Sequence, residues 1–290
     1  GGRRKNKKIV FSGDLGNTPE PIEQPTEFID SSDFVVMEST YGGRTHSTEN
    51  ALEVLQKEIN TVENFNSALL IPAFSLERTQ TLLHMIDHLK KEGKVKNETT
   101  VYLDSPMAIK ATYIYTQFPN YYSKELSEHT NHDDPFDFPG LVSIDSAKES
   151  NSIEQTRGTK VIIAGSGMMS GGRILSHAAK LLPIPTTRLL FVGFQAEGTI
   201  GRQILEGAKV VSIYGSKVTV NVKLRELTSI SAHADEPKLL NWLSKIKNVQ
   251  TVFLTHGEDE ARKLILPKIQ NNLHISNVYL PKLHEEVKLV

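Results

Sequence analysis

Short apolar runs rich in Val, Ile and Leu alternate along the chain with longer amphipathic stretches. The runs predict strands near 8–12, 33–38, 67–71, 99–103, 159–163, 188–192, 209–213, 217–228, 250–254 and 277–280. Apolar positions recurring at helical spacing predict helices near 48–63, 75–92, 106–118, 149–156, 172–181, 199–206, 235–245 and 258–271. This alternation predicts an α/β fold with largely parallel central strands. Residues 119–142 break the pattern with Pro119, Pro135 and Pro139 and little periodicity, and predict an irregular excursion. His129 and His132, beside Asp133 and Asp134, are a conceivable metal group there, and a polar surface loop is the plainer reading.

Composition narrows the function classes. A chain of 290 residues with 38% hydrophobic and 23% charged residues can bury one large core or two smaller ones. The formal net charge of −1 lacks the basic excess of many nucleic-acid binders, although it leaves a local basic groove open. The basic run Arg3, Arg4, Lys5, Lys7 and Lys8 reads as a solvated turn. No apolar run approaches the ~18 residues that a membrane span needs, so no membrane partner is expected. Cysteine is absent, so any metal must sit on histidine and carboxylate, and a cytoplasmic location fits. Gly1-Gly2-Arg3-Arg4 reads as a hairpin turn whose first strand is missing, so the chain is expected to begin in mid-domain.

Four segments place a functional side chain directly after an apolar run. They are Ile9–Asp14, Phe34–Gly42, Ile230–Asp235 and Val252–Glu258, carrying Asp14, Glu38, His233 and His256. In α/β sheets ligands gather at the carboxyl ends of strands, so all four are expected on one rim. Singly each is weak, since an Asp after a strand is commonly a turn former or helix cap. Together, two acids and two histidines suit a thiolate-free metal centre.

On these residues the chain resembles the β-CASP group of the metallo-β-lactamase fold, RNA-processing nucleases that include the 3′-end-processing endonuclease of eukaryotic pre-mRNA and its bacterial and archaeal relatives. Ser12-Gly13-Asp14 matches the fourth metallo-β-lactamase motif, Glu38-Ser39-Thr40-Tyr41-Gly42 the acidic motif A, Ser231-Ala232-His233-Ala234-Asp235 motif B, and Thr255-His256-Gly257-Glu258 motif C. Pro72–Gln80 and Asp104–Ala108 are similar to loop-to-helix turns of the family's cap domain, and Gly165–Arg173 to the glycine-rich turn that faces its metal site. The resemblance implies an incomplete αββα sandwich with an inserted α/β cap. The expected divisions are 1–45 and 216–290 for the metallo-β-lactamase domain and 46–215 for the β-CASP domain.

The same resemblance implies a zinc-dependent ribonuclease that cleaves single-stranded RNA. Two zinc ions occupy the intact site, with Asp14 bridging them and His256 holding one. Glu38 orients His233, which protonates the leaving oxygen. His256 at motif C looks like the RNA-directed branch rather than the DNA-repair one. Ser166, Gly167, Met168, Arg173, His177 and Gln195 are candidate phosphate or substrate contacts, with Arg173 expected to meet phosphate and His177, on the helix after the glycine-rich turn, to face the substrate cleft. A homodimer is also conceivable.

The family's His-x-His-x-Asp-His motif is missing: the histidines stand at 46, 84, 88, 129, 132, 177, 233, 256, 274 and 284, and no two are separated by one residue. His84 and His88 have helical i, i+4 spacing but lack the Glu of the His-Glu-x-x-His pattern. The expectation is an N-terminally truncated chain whose remaining ligands lie on a missing segment or a complementing chain, leaving this fragment with little activity. The alternative is a non-catalytic RNA-binding or scaffold member of the family. A small-molecule metallohydrolase is a third reading, disfavoured by the large insertion between about 46 and 215.

Overall fold

The computed structural model describes residues 6–129 and 134–289, and side chains from His129 to Asp133 are not described. The turn at Gly1–Arg4 and the His129/His132 group therefore fall outside the described residues or side chains. In chain order the elements begin with β1 (Ile9–Phe11), β2 (Phe34–Glu38), α1 (Ala51–Phe65), β3 (Ala68–Pro72), α2 (Arg78–Lys91), β4 (Thr100–Asp104) and α3 (Pro106–Gln117). They continue with α4 (Lys124–His129), β5 (Leu141–Ser143), α5 (Ala147–Ser150), β6 (Lys160–Ala164), α6 (Arg173–Leu181), β7 (Arg188–Phe191) and α7 (Ile200–Leu205). The last are β8 (Val210–Ile213), β9 (Ser216–Thr219), β10 (Lys223–Glu226), α8 (Glu236–Ser244), β11 (Thr251–Thr255), α9 (Asp259–Leu273) and β12 (Asn277–Tyr279). The α/β class is as expected: both larger sheets are parallel and flanked by helices.

The chain divides into two compact units, one of residues 1–19, 25–46 and 232–290, the other of 20–24 and 47–231. The sequence placed a boundary at 215, but β10 pairs in parallel with β7 and carries the second unit to Ser231.

The second unit is a three-layer α/β body with strand order β10-β7-β3-β6-β4-β5. Its central strands β3 and β6 are buried at every position, which is why 68–72 and 161–164 read as unbroken apolar runs. The two-residue period then sorts them: Leu69, Ile71, Val161 and Ile163 pack with α1 and α2, while Leu70 and Ile162 pack with α6 and α7. Asn50 caps α1, its side chain accepting from the amides of Leu52 and Glu53, and Val54, Leu55, Ile59 and Val62 form the helix's buried face.

The irregular stretch is more ordered than expected, containing a 3-10 turn at 119–121, α4 and the short edge strand β5. The predicted helix at 149–156 resolves into α5 and a 3-10 turn at 153–155. The predicted strand 217–228 is two strands, β9 in an antiparallel hairpin with β8 and β10 in the large sheet.

The first unit holds a parallel sheet in the order β1-β2-β11-β12. One face, with Val35, Met37, Val252 and Leu254, is closed by Leu239, Leu243, Ile265 and Ile269 of α8 and α9. On the other, Ile9 and Phe11 of the edge strand are exposed, and Tyr279 packs edge-on to Phe253. Among the described residues no helix is long and apolar enough to cross a membrane.

Candidate active site

The carboxyl ends of β1, β2 and β11 lie side by side, so register alone gathers Asp14, Glu38 and His256 at one rim of the first unit. His233 reaches the same place from a loop rather than a strand. Residues 228–230 form a 3-10 turn, and the chain then runs extended into α8.

Glu38 is the buried anchor, 2% exposed. Its Oε1 accepts the Leu15 amide at 2.7 Å and its Oε2 meets His233 Nδ1 at 2.9 Å. Its own amide donates to Ser12 Oγ, which ties the β1 turn to the end of β2. Asp14 follows Gly13, whose φ of +55° lets the chain turn at the strand end. Asp14 Oδ1 lies 3.4 Å from His256 Nδ1 and 3.9 Å from His233 Nδ1, and the two imidazole centroids are 5.1 Å apart.

His256 adopts φ +49°, a left-handed backbone that a non-glycine residue holds only when its surroundings impose it. Two hydroxyls of motif A impose it here. Thr40 Oγ1 donates to the His256 carbonyl at 2.8 Å, and Ser39 Oγ donates to the Thr255 carbonyl at 2.7 Å. Gly257 follows, where an added Cβ would lie 2.7 Å from the Ser39 carbonyl oxygen. Gly257→Ala is therefore expected to cost about 1–3 kcal/mol by overpacking. A lowered melting temperature with weakened metal uptake at His256 checks it.

Two further residues position the site, His46, which carries no signal in the sequence, and Tyr41 of motif A. His46 is buried, and its Nε2 donates to the His233 carbonyl at 2.8 Å while its amide donates to Asp235 Oδ2 at 3.0 Å. Burial, outweighing that hydrogen bond and the nearby Asp235 charge, holds its pKa below the ordinary 6.5, so it serves as a neutral donor. Tyr41 packs edge-on against its ring at 4.4 Å. Only the observed return of the 40–46 loop to the start of α8 brings these residues together.

The donor set fits zinc. Ligand atoms of Asp14, His233 and His256 all lie within 4.8 Å of one another. Two ligands about 2.0–2.1 Å from one tetrahedral ion stand about 3.3 Å apart, close to the 3.4 Å between Asp14 and His256. Both side chains are more than half exposed, so an ion could reach them. His233 Nδ1 is instead committed to Glu38.

The predicted substrate contacts lie in the second unit, and several are corrected. His177 does not face a cleft: it is fully buried, with Nε2 2.6 Å from Asp104 and Nδ1 2.5 Å from Glu154. Burial disfavours its charged form, but the two carboxylates outweigh it and raise its pKa. Arg173 does not present its guanidinium to phosphate, because it binds Asp104 at 2.6 Å and the carbonyls of Ile144 and Asp145. Gln195, 2% exposed, spends its Nε2 on the carbonyls of Gly167, Gly193 and Phe194. Gly167 is buried against Phe74, and Met168 is partly exposed with its Sδ accepting from the Ala196 amide. Ser166 is partly exposed, its hydroxyl accepting from the Ser170 amide.

Residues 79–204 match the Beta-Casp domain and residues 217–266 the Zn-dependent metallo-hydrolase RNA specificity domain. Ribonuclease TTHA0252 of Thermus thermophilus is 33% identical over 88% of this chain and 58% of its own length. Transcription termination factor FttA of Thermococcus kodakarensis is 29% identical over 86% of this chain and 40% of its own. An RNase J-like protein of Methanocaldococcus jannaschii is 30% identical over 87% of this chain and 58% of its own. The chain thus spans 40–58% of these relatives. The two domain matches and these relatives make this chain a member of the β-CASP family of the metallo-β-lactamase fold.

Proposed function

We propose that this chain supplies the proton-handling pair and part of the metal-binding set of a zinc-dependent ribonuclease acting on single-stranded RNA. The observation that carries it is the gathering of Asp14, His256 and the Glu38–His233 pair at one rim of the first unit. Asp14 and His256 would hold the metal. Zinc, when bound, supplies Lewis-acid polarisation of the scissile phosphate and acidifies water. Glu38 fixes the His233 ring through Nδ1, so the proton given to the leaving oxygen comes from Nε2.

Two ligands do not complete a tetrahedral site. The remaining ones would come from an N-terminal segment or a complementing chain. The exposed face at Ile9 and Phe11 suits such a segment, because parallel sheets are ordinarily covered on both faces. The isolated 290 residues are then expected to bind zinc weakly and cleave little.

The test is zinc content and cleavage of a single-stranded oligoribonucleotide by a complete protein containing these residues. The proposal expects stoichiometric zinc that Asp14→Ala and His256→Ala each reduce. A complete, folded protein without bound zinc would sink it in favour of a non-catalytic RNA-binding role.

A further inference from the structure

A groove of about 420 Å³ lies on the second unit, lined by residues 22–24 and by the stretch 114–122. Its walls are aromatic and aliphatic, with Ile114, Tyr115, Phe118, Tyr121 and Tyr122, and one carboxylate, Glu23, stands among them. The walls are held in place. Glu23 forms an isolated antiparallel bridge with Tyr122, whose hydroxyl donates to the Tyr115 carbonyl at 2.8 Å, and Phe136 packs edge-on to both tyrosines. Phe118 and Tyr121 pack edge to face at 6.4 Å and are themselves exposed.

Glu23 is the unusual member. The Tyr115 hydroxyl donates to its Oε1 at 3.0 Å. Burial and the charge of Glu77 raise its pKa, against the smaller opposing effects of Tyr115 and Arg78. Arg78 is itself buried and paired with Glu77. Among the described residues lining the groove there is no Lys or Arg.

We propose that this groove is a docking pocket for an arginine side chain of a protein partner, taken against the exposed rings of Phe118 and Tyr121 and within reach of the Glu23 carboxylate. Aromatic faces attract a cation, most strongly when it is partly desolvated. A guanidinium is planar, weakly hydrated and able to stack while it donates to a carboxylate, which suits it better than an ammonium. The same charge argues against a nucleic-acid strand, whose phosphates would meet Glu23 with no cation in the lining.

Acetylated and amidated pentapeptides Ala-Ala-X-Ala-Ala, with X as Arg, Lys, Leu or Glu, would be titrated into the 290-residue protein and followed by tyrosine ring chemical shifts. The Arg peptide is expected to bind at least tenfold tighter than the Leu and Glu peptides, shifting Tyr121 and Tyr115. Glu23→Gln should abolish that preference. Tyr121→Ala should weaken the Arg peptide severalfold, and because Tyr121 is 74% exposed, melting temperature should be unchanged. Equal binding of the Leu and Arg peptides would overturn the proposal, as would tighter displacement of the same resonances by a single-stranded oligoadenylate. An Arg preference that survives both substitutions would also overturn it.

Discussion

His233→Ala in the complete protein is expected to lower the cleavage rate by about 10²–10⁴-fold, the usual contribution of a positioned general acid, while leaving zinc content unchanged. Its Nδ1 meets Glu38 at 2.9 Å, so on the proposed reading removing the ring removes a proton source rather than a ligand. Substrate chemistry separates the two roles. A phosphodiester with a nitrophenolate leaving group needs no protonation, so the variant should cleave it nearly as fast as the parent. An equal loss on both substrates, accompanied by loss of zinc, would reassign His233 as a ligand. Glu38→Gln should lie between, because a neutral amide at that position still accepts a hydrogen bond but no longer favours the charged imidazole.

Much of this site was legible before the fold was known, for a physical reason. Asp14, Glu38 and His256 each follow an apolar strand, and parallel neighbours bring carboxyl ends to one edge whatever the strand order. His233 was legible only through its motif, since the segment before it is a 3-10 turn and not a strand.

The failures share another cause. Arg173 and His177 sit one helical turn apart on a helix that follows a glycine-rich turn, which suggested a cleft. Their actual partners, Asp104 and Glu154, are 73 and 23 residues from His177, and no local pattern reports such pairings. His46 was passed over because its role lies in a carbonyl it supports, that of His233, 187 residues away. The buried strands β3 and β6 were easy to find, whereas the three-residue edge strand β5 is too short to show a period.

The buried contacts of Arg173 and His177 carry a large expected effect on stability. Asp104, fully buried at the end of β4, accepts from Ser150 at 2.5 Å and from Arg173, and meets His177, whose other nitrogen meets Glu154. An imidazole with a carboxylate on each nitrogen is held as the doubly protonated cation, so the β4 end, the 153–155 turn and α6 are joined by one charged network. Removing one member strands the rest, and Asp104→Ala is expected to cost about 3–5 kcal/mol, lowering the unit's melting temperature by on the order of 10 °C. The pH dependence has a definite sign. His177 has a raised pKa, so its contribution is complete below its ordinary 6.5 and is lost as pH rises through the raised value. For Asp104 and Glu154, burial opposes the ionised form but the hydrogen bonds to His177 and its neighbours prevail, lowering both pKa values from the ordinary 3.8 and 4.5. Their contribution is present above those ordinary values and is lost as pH falls through the lowered ones. Denaturant titrations across pH should therefore show a plateau from about the carboxylates' ordinary range up to 6.5, with stability falling on both sides. In His177→Leu the alkaline fall should disappear. A variant that keeps that fall would locate the titrating group elsewhere and remove the charged imidazole from the account of this unit's stability.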